Sequence, residues 1–261
     1  MNIVKIKGGL ANQLFQWAFS YSLSKKFGVK DYYDISFYSS ATNSSGHADF
    51  RNFCLPNLLN EKVSLLTESV VNEFRRKPLQ FINEPADGSF IEIECDENFS
   101  YCFDGYWQDH RYIKDYRDEI ISSINFEVDH DFDFTDSCSI HVRRGDYLRL
   151  GHMHPVLELD YYQKALDIIN PNGNIYVFSD DIAWCKKELN FKNMVFVEGN
   201  SNINDLKLMS FCSNNITANS SFSWWAAWLN KNENKKVVCP KKWFTKRDMF
   251  ASKIPNDWVV L

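Results

Sequence analysis

Two periodicities organise the chain. Residues 2–7, NIVKIK, alternate and carry β-branched side chains, which predicts a strand. Gly8-Gly9 break it. From Leu10 to Phe27 the apolar residues Leu14, Trp17, Ala18, Tyr21 and Leu23 recur at helical spacing, and Gly28 stops the helix. A strand, a glycine turn and a helix form the opening of a nucleotide-binding α/β unit. Residues 31–58 read as irregular, Glu61–Arg76 as a helix, 79–106 as short strands and loops, and 109–123 as a helix. The stretch 126–136, FEVDHDFDFTD, is acidic and has no period. It is the expected linker, with an N-terminal domain over 1–130 and a C-terminal domain over 131–261.

The second half is more regular. Strands are predicted at Ser137–Val142, Asn174–Ser179, Met194–Val197, Asn215–Ala218 and Lys236–Cys239. Helices are predicted at Leu159–Ile169, Ile182–Leu189, Asn204–Cys212 and Ser220–Leu229, the last capped by Asn219. Strands alternating with helices imply a parallel sheet.

Composition adds limits. The net charge of −5 argues against a nucleic-acid partner. From Leu229 onward eight Lys or Arg face three Asp or Glu, a local +5 that leaves −10 on the remainder. A solvated face is the plain reading of that cluster, which includes Lys241, Lys242, Lys246 and Arg247. The sharper one is light peripheral contact with an anionic membrane or a lipid-linked substrate. Seven cysteines without a CxxC pair argue against a zinc site or a disulfide framework and suit a reducing cytosol. No leader-like segment follows Met1, and no apolar run approaches ~18 residues. A cytoplasmic protein, at most membrane-peripheral, is therefore expected. Aromatic residues make up 16% of the chain. They read as core, with some rings available to a sugar or a base.

Four segments carry chemistry. In GGLANQLFQ (8–16) the glycines let backbone approach a ligand, and the helix start beyond favours anions. Leu10 breaks the G-x-G-x-x-G fingerprint, and Asn12 is either a cap or a ligand group. In HVRRGD (141–146) two adjacent guanidiniums at a strand's carboxyl end call for an anionic partner, and arginine forks match phosphate oxygens. Strand alternation puts His141 and Arg143 on one face. It turns Arg144 the other way, toward a structural role or a pair with Asp146. In FSDD (178–181) one carboxylate can take a base or ribose donor, while another caps the next helix. In ANSSFSWWA (218–226), Ser220, Ser221 and Ser223 with the helix-start N–H groups make a second anion cradle. Three polar turns of one sheet thus converge on a diphosphate that Arg, rather than a metal, would neutralise.

In this order the segments resemble the alpha-1,2-fucosyltransferases of glycosyltransferase family 11. The carriers are GGLANQLFQ, HVRRGDY, FSDD, NSSFSWWAAWL and CPKKWF, with Ala11 where that family has Gly. The resemblance implies an α/β fold of the GT-B type: two Rossmann-like domains, the C-terminal one holding the donor on a parallel sheet. It implies GDP-fucose as donor, a galactose-containing glycan as acceptor, inversion at the anomeric carbon, and neither metal nor other cofactor. Arg143 would hold the β-phosphate. His141 and Asp180 would lie near the nucleoside. Ser220, Ser221 and Ser223 would contact phosphate, Asn12 would face the diphosphate–fucose, and Gln13, Asp181 and Phe222 would join them in binding the donor. The general base is open among Asp146, His152, His154 and Glu158, with Asp146 and His154 the catalytic candidates beside Arg143. Two rivals are a nicotinamide oxidoreductase using Gly8-Gly9 and a non-catalytic glycan-binding module built on the aromatics.

Overall fold

The structure is a computed structural model that describes residues 1–39, 52–245 and 253–261. Much of the stretch read as irregular, together with Lys246 and Arg247 of the basic cluster, lies outside the described residues. The chain forms two compact units, Met1–Asn125 and Phe126–Leu261.

The N-terminal unit is a four-stranded parallel sheet in the order β2-β1-β4-β3, formed by β1 (Asn2–Lys5), β2 (Asp31–Asp34), β3 (Leu79–Asn83) and β4 (Ser100–Asp104). Helix α1 (Leu10–Phe27) follows β1. It ends on Gly28, whose left-handed backbone (φ 66°) returns its N–H to the Ser24 carbonyl. Most of α1 is buried, and its buried positions include the polar Gln13, Gln16, Ser20 and Ser22, so it shows no simple apolar stripe. Two expectations fail here. The helix α2 covers only Glu68–Phe74, because Leu65 pairs with Tyr33 in a parallel bridge and draws 61–67 into extended backbone. The helix expected over 109–123 is two 3₁₀ turns, His110–Tyr112 and Lys114–Tyr116, followed by α3 at Arg117–Ser122. Asp109 caps the first turn by accepting the Arg111 N–H, which favours the tight start.

The C-terminal unit matches its predicted elements closely. It has β5 (Cys138–Val142), α4 (Leu159–Ile169), β6 (Ile175–Ser179), α5 (Ile182–Glu188), β7 (Met194–Phe196), α6 (Asn202–Phe211), β8 (Asn214–Ile216), α7 (Ser221–Leu229), β9 (Val237–Cys239) and β10 (Val259–Val260). All strands run parallel in the order β10-β9-β8-β5-β6-β7. The central β5 is buried along its whole length, as a strand covered on both faces must be. Ile140, Val142, Tyr162, Leu166, Val177 and Ile216 share one core cluster. The segment 126–136 is not a free linker. Phe132 and Phe134 pack on Tyr176, Phe126 packs on Phe211, and the buried Lys207 donates its ammonium to the Glu127 carbonyl at 2.8 Å. Apolar rings alternating with the acids tie it to this unit, so the units divide five residues before the expected boundary at 130.

Candidate functional site at the carboxyl edge of the C-terminal sheet

Read outward from β5, the strands run β5-β6-β7 one way and β5-β8-β9-β10 the other. The order therefore reverses between β5 and β8. In such sheets the loops at that reversal splay apart and leave a crevice beyond the strands' carboxyl ends. The turn after β5 carries Arg143–Asp146, the turn after neighbouring β6 carries Asp180 and Asp181, and the turn after β8 leads to α7 through Ser220. The three polar turns predicted from sequence thus meet at one edge.

Arg143 is the centre of the cluster. Its Nη2 donates to Asp146 Oδ1 at 2.7 Å, and its Nη1 pairs with Asp180 Oδ2 at 3.0 Å. Its guanidinium lies over the Tyr147 ring, 5.5 Å from the centroid. About a quarter of the side chain stays exposed, so it is braced yet reachable. Asp180 also accepts the Arg144 backbone N–H at 2.9 Å. Of the two expectations for Arg144, the structural role holds and the pair with Asp146 does not form. Its Nε reaches Asp181 Oδ2 at 3.2 Å, and its plane stacks on Trp184 at 3.8 Å. The strand ends at Val142, so alternation no longer sets the direction of Arg144. Asp181 is also the expected cap, accepting the Trp184 N–H at 3.2 Å.

Across the crevice the cap of α7 is Ser220, not Asn219; the Ser220 hydroxyl accepts the Phe222 N–H at 3.4 Å. Asn219 is buried and holds loops together, its Nδ2 donating to the Pro155 carbonyl at 2.9 Å while its backbone carbonyl accepts from Tyr147 Oη at 3.0 Å. That last bond joins the β5 turn to the α7 start. The Ser223 hydroxyl is engaged within the turn, accepting from the Ala218 N–H and donating to the Ser220 carbonyl. Ser221 and Phe222 are half-buried at the helix start, where N–H groups and the macrodipole favour negative charge. The Phe222 ring packs on His141 at 5.5 Å.

His141 is buried, and its Nδ1 finds no hydrogen-bond partner among the described residues. Burial first, and the Arg143 charge second, press its pKa down to about 3. It therefore meets a ligand as a neutral ring, and its orphan nitrogen suits a polar ligand atom. The unfolded chain binds a proton at an ordinary His pKa, ~6.5. Between that value and about 3 the unfolded state holds more protons than the native one, so stability falls as pH drops through this window. His141→Asn should remove up to ~1.4 kcal/mol per pH unit of that slope. Urea unfolding at pH 7, 6 and 5 reads it; equal slopes in variant and parent would refute the buried neutral ring.

The base candidates separate. Asp146 is coupled to Arg143. His154 is packed, its ring stacked 4.5 Å from Tyr147 and its Nδ1 3.2 Å from the Trp243 carbonyl oxygen. His152 and Glu158 are exposed, Glu158 at the start of α4.

Asn12 and Gln13 belong to the N-terminal unit. The cap of α1 is Gly9, so Asn12 does not cap it. Gly8 is left-handed (φ 82°), and a Cβ there would sit 2.6 Å from Asn12 Nδ2. Asn12 Oδ1 accepts from Gln108 Nε2 at 2.7 Å. Gln13 is fully buried and stitches backbone: Nε2 donates to the Gly8 and Asn52 carbonyls, and Oε1 accepts the Cys54 N–H. Gln16 does the same between the Lys7 N–H and the Gly105 carbonyl. Sequence reasoning missed Tyr147, Trp184, Gln16 and Gln108 as site supports. Only Gln16 carried a signal, a second amide three residues after Gln13 inside an apolar helix.

Among the described residues no group of three or more His, Cys, Asp or Glu is placed to hold a metal ion. What the edge offers is a braced, accessible guanidinium on the turn after β5 and a helix start after β8, on a Rossmann-ordered parallel sheet, two features that each favour an anionic ligand. The chain belongs to glycosyl transferase family 11, whose profile matches residues 1–261. The O-antigen biosynthesis glycosyltransferase WbnK of Escherichia coli is 32% identical over 98% of this chain and 99% of its own. An alpha-1,2-colitosyltransferase of Escherichia coli is 30% identical over 98% of this chain and 97% of its own. The mouse galactoside 2-alpha-L-fucosyltransferase Sec1 is 35% identical over 34% of this chain and 27% of its own. The crystal structure of NodZ alpha-1,6-fucosyltransferase soaked with GDP-fucose superposes with a TM-score of 0.52 at 14% identity, covering 87% of this chain and 91% of that one. At that identity the likeness is one of fold, and the fold is of the GT-B type. The protein is a glycosyltransferase.

Proposed function

We propose that this family 11 enzyme transfers L-fucose from GDP-fucose to the 2-hydroxyl of a galactoside, with inversion and without a metal, in the assembly of a surface polysaccharide. The observation that carries the reading is Arg143, braced between Asp146 and Asp180 on the turn after the central strand β5. The relative named for O-antigen biosynthesis supports the polysaccharide role, and the galactoside 2-alpha-L-fucosyltransferases support the linkage. In this reading the acceptor hydroxyl passes its proton to a base among Asp146, His152, His154 and Glu158 as it attacks the anomeric carbon from the side opposite GDP; the bond from that carbon to the diphosphate oxygen breaks, and inversion follows. The departing diphosphate gathers negative charge, which Arg143 and the α7 N–H groups meet. Asp146 and Asp180 fix the guanidinium plane before the donor arrives, which lowers the cost of ordering it. Cytoplasmic placement, with at most peripheral membrane contact, belongs to the same proposal; no described helix is long and apolar enough to cross a membrane.

A second reading concerns the sugar alone. The full-length relative named as an alpha-1,2-colitosyltransferase favours a colitosyl donor at the same site. A thermal-shift series with GDP, UDP, CDP and ADP tests the nucleotide, and transfer assays with each sugar donor separate the two readings. GDP at a hundred times its Kd should stabilise the protein by ~2.7 kcal/mol. Equal shifts for all four nucleotides, or none, would remove the guanosine assignment.

A further inference from the structure

One buried residue, Tyr147, touches both the Arg143 guanidinium and the turn that opens α7. The guanidinium lies over its ring, 5.5 Å from the centroid. Its hydroxyl donates to the backbone carbonyl of Asn219 at 3.0 Å, one position before the Ser220 cap. The contacts then close on themselves. Asn219 Nδ2 donates to the Pro155 carbonyl at 2.9 Å. His154, its neighbour in the chain, stacks on the Tyr147 ring at 4.5 Å and 10°. His154 is held in turn by the Trp243 carbonyl oxygen, 3.2 Å from its Nδ1, and by the Phe244 ring at 5.1 Å. A phenol tethered at its hydroxyl and stacked on its ring keeps one orientation.

The place of this link in the sheet gives it a use. The ladder between β5 and β8 ends at the pair Ile140–Ile216. Beyond it the two turns part, as loops do where strand order reverses, and the Tyr147–Asn219 hydrogen bond joins them again. Each turn brings one feature that favours an anion, Arg143 on the first and the start of α7 on the second. A monophosphate is served by either feature alone. A diphosphate gains from both only where their spacing is set beforehand, because ordering them on binding costs affinity. His141 is an independent sign that a ligand belongs here. Its buried Nδ1 has no partner among the described residues, and its ring packs at 5.5 Å on Phe222, in the first turn of α7.

We infer that Tyr147 is a positioning residue that holds Arg143 and the start of α7 at the spacing of a diphosphate, so that the crevice selects a diphosphate over a monophosphate. The inference rests on the proposed sugar-nucleotide reading and deepens it. The ring of Tyr147 orients the guanidinium, and its hydroxyl sets the distance between the two turns. Tyr147 acts through these neighbours and touches no substrate.

The test titrates pyrophosphate and orthophosphate into the full chain by calorimetry. The parent should bind pyrophosphate about tenfold more tightly or better. Tyr147→Phe keeps the ring and removes the hydroxyl. It should lose most of that preference, while its Kd for orthophosphate stays within about twofold of the parent's. In transfer assays it should raise the KM for the sugar nucleotide about tenfold and leave kcat and the acceptor KM near the parent's. Tyr147→4-aminophenylalanine returns a donor to the same place and should restore the preference, which a general loosening of the fold would not allow. A parent that binds the two anions equally well overturns the inference without any variant. So does a Tyr147→Phe protein that keeps the full preference. Failure of the GDP series with the pyrophosphate preference intact would overturn the guanosine donor and leave the role of Tyr147 standing.

Discussion

Arg143→Ala should lower kcat by ~10²–10³, the range found when one group that stabilises developing charge is removed. The site geometry sets that expectation. Arg143 is the guanidinium at the centre of the switch-point cluster, and only a quarter of it is exposed. Both of its terminal nitrogens are engaged, with Asp146 and with Asp180. Removing it does more than delete a cation: it leaves two carboxylates in the crevice where a diphosphate has to sit, so repulsion replaces attraction. Arg143→Lys should restore little. A lysine is a point charge on a flexible stem, and it cannot bridge two carboxylates while still offering a fork to phosphate. Both variants should unfold within a few degrees of the parent, because the pairs are partly solvated and such pairs contribute about 0–1 kcal/mol. Single-turnover transfer from the donor, read beside thermal unfolding, separates chemistry from folding. An Arg143→Ala enzyme within tenfold of the parent would take the leaving-group role away from this residue.

The C-terminal unit was largely legible from sequence, for a physical reason. Strands buried on both faces are short apolar runs, and the polar turns between them hold the residues that work or cap. Asp181 and the Ser220 region were read that way, and the three turns meet where expected. Side-chain partners across the turns were less legible. Arg144 pairs with Asp181, 37 positions away, and stacks on Trp184. The alternation used to orient it ends with β5 at Val142, and the turn beyond sets its direction. The N-terminal unit hid more. β2 is the tetrapeptide DYYD, which owes its strand form to pairing with β1, not to its own apolar pattern. Residues 61–76 were read as one helix, but 61–67 are extended because Leu65 found a partner in Tyr33. In both places long-range pairing overrode local propensity.

Gly145→Ala should lower turnover by ~10–100-fold with little loss of stability, since ångström-scale misplacement of a site can cost about 10²-fold. A Cβ on Gly145 would lie 2.6 Å from Asp180 Oδ2 and 3.1 Å from its Cγ. Oδ2 is the atom that pairs with Arg143, and Oδ1 of the same carboxylate accepts the Arg144 N–H. Asp180 therefore cannot turn aside without releasing a contact on each oxygen. The guanidinium it helps to hold would swing toward Asp146 alone. The cost to folding is small because the displaced group is a partly exposed side-chain end, not packed core. Gly151→Ala is the matched control: its Cβ would approach nothing closer than the Tyr147 carbonyl oxygen at 3.9 Å, an ordinary contact, so activity should hold. A double-mutant cycle decides whether the glycine acts through Asp180. If it does, adding Gly145→Ala to Asp180→Ala should cost almost nothing further, because the clash partner is gone. Fully additive losses would show that Gly145 shapes the turn itself and that Asp180 is not its target.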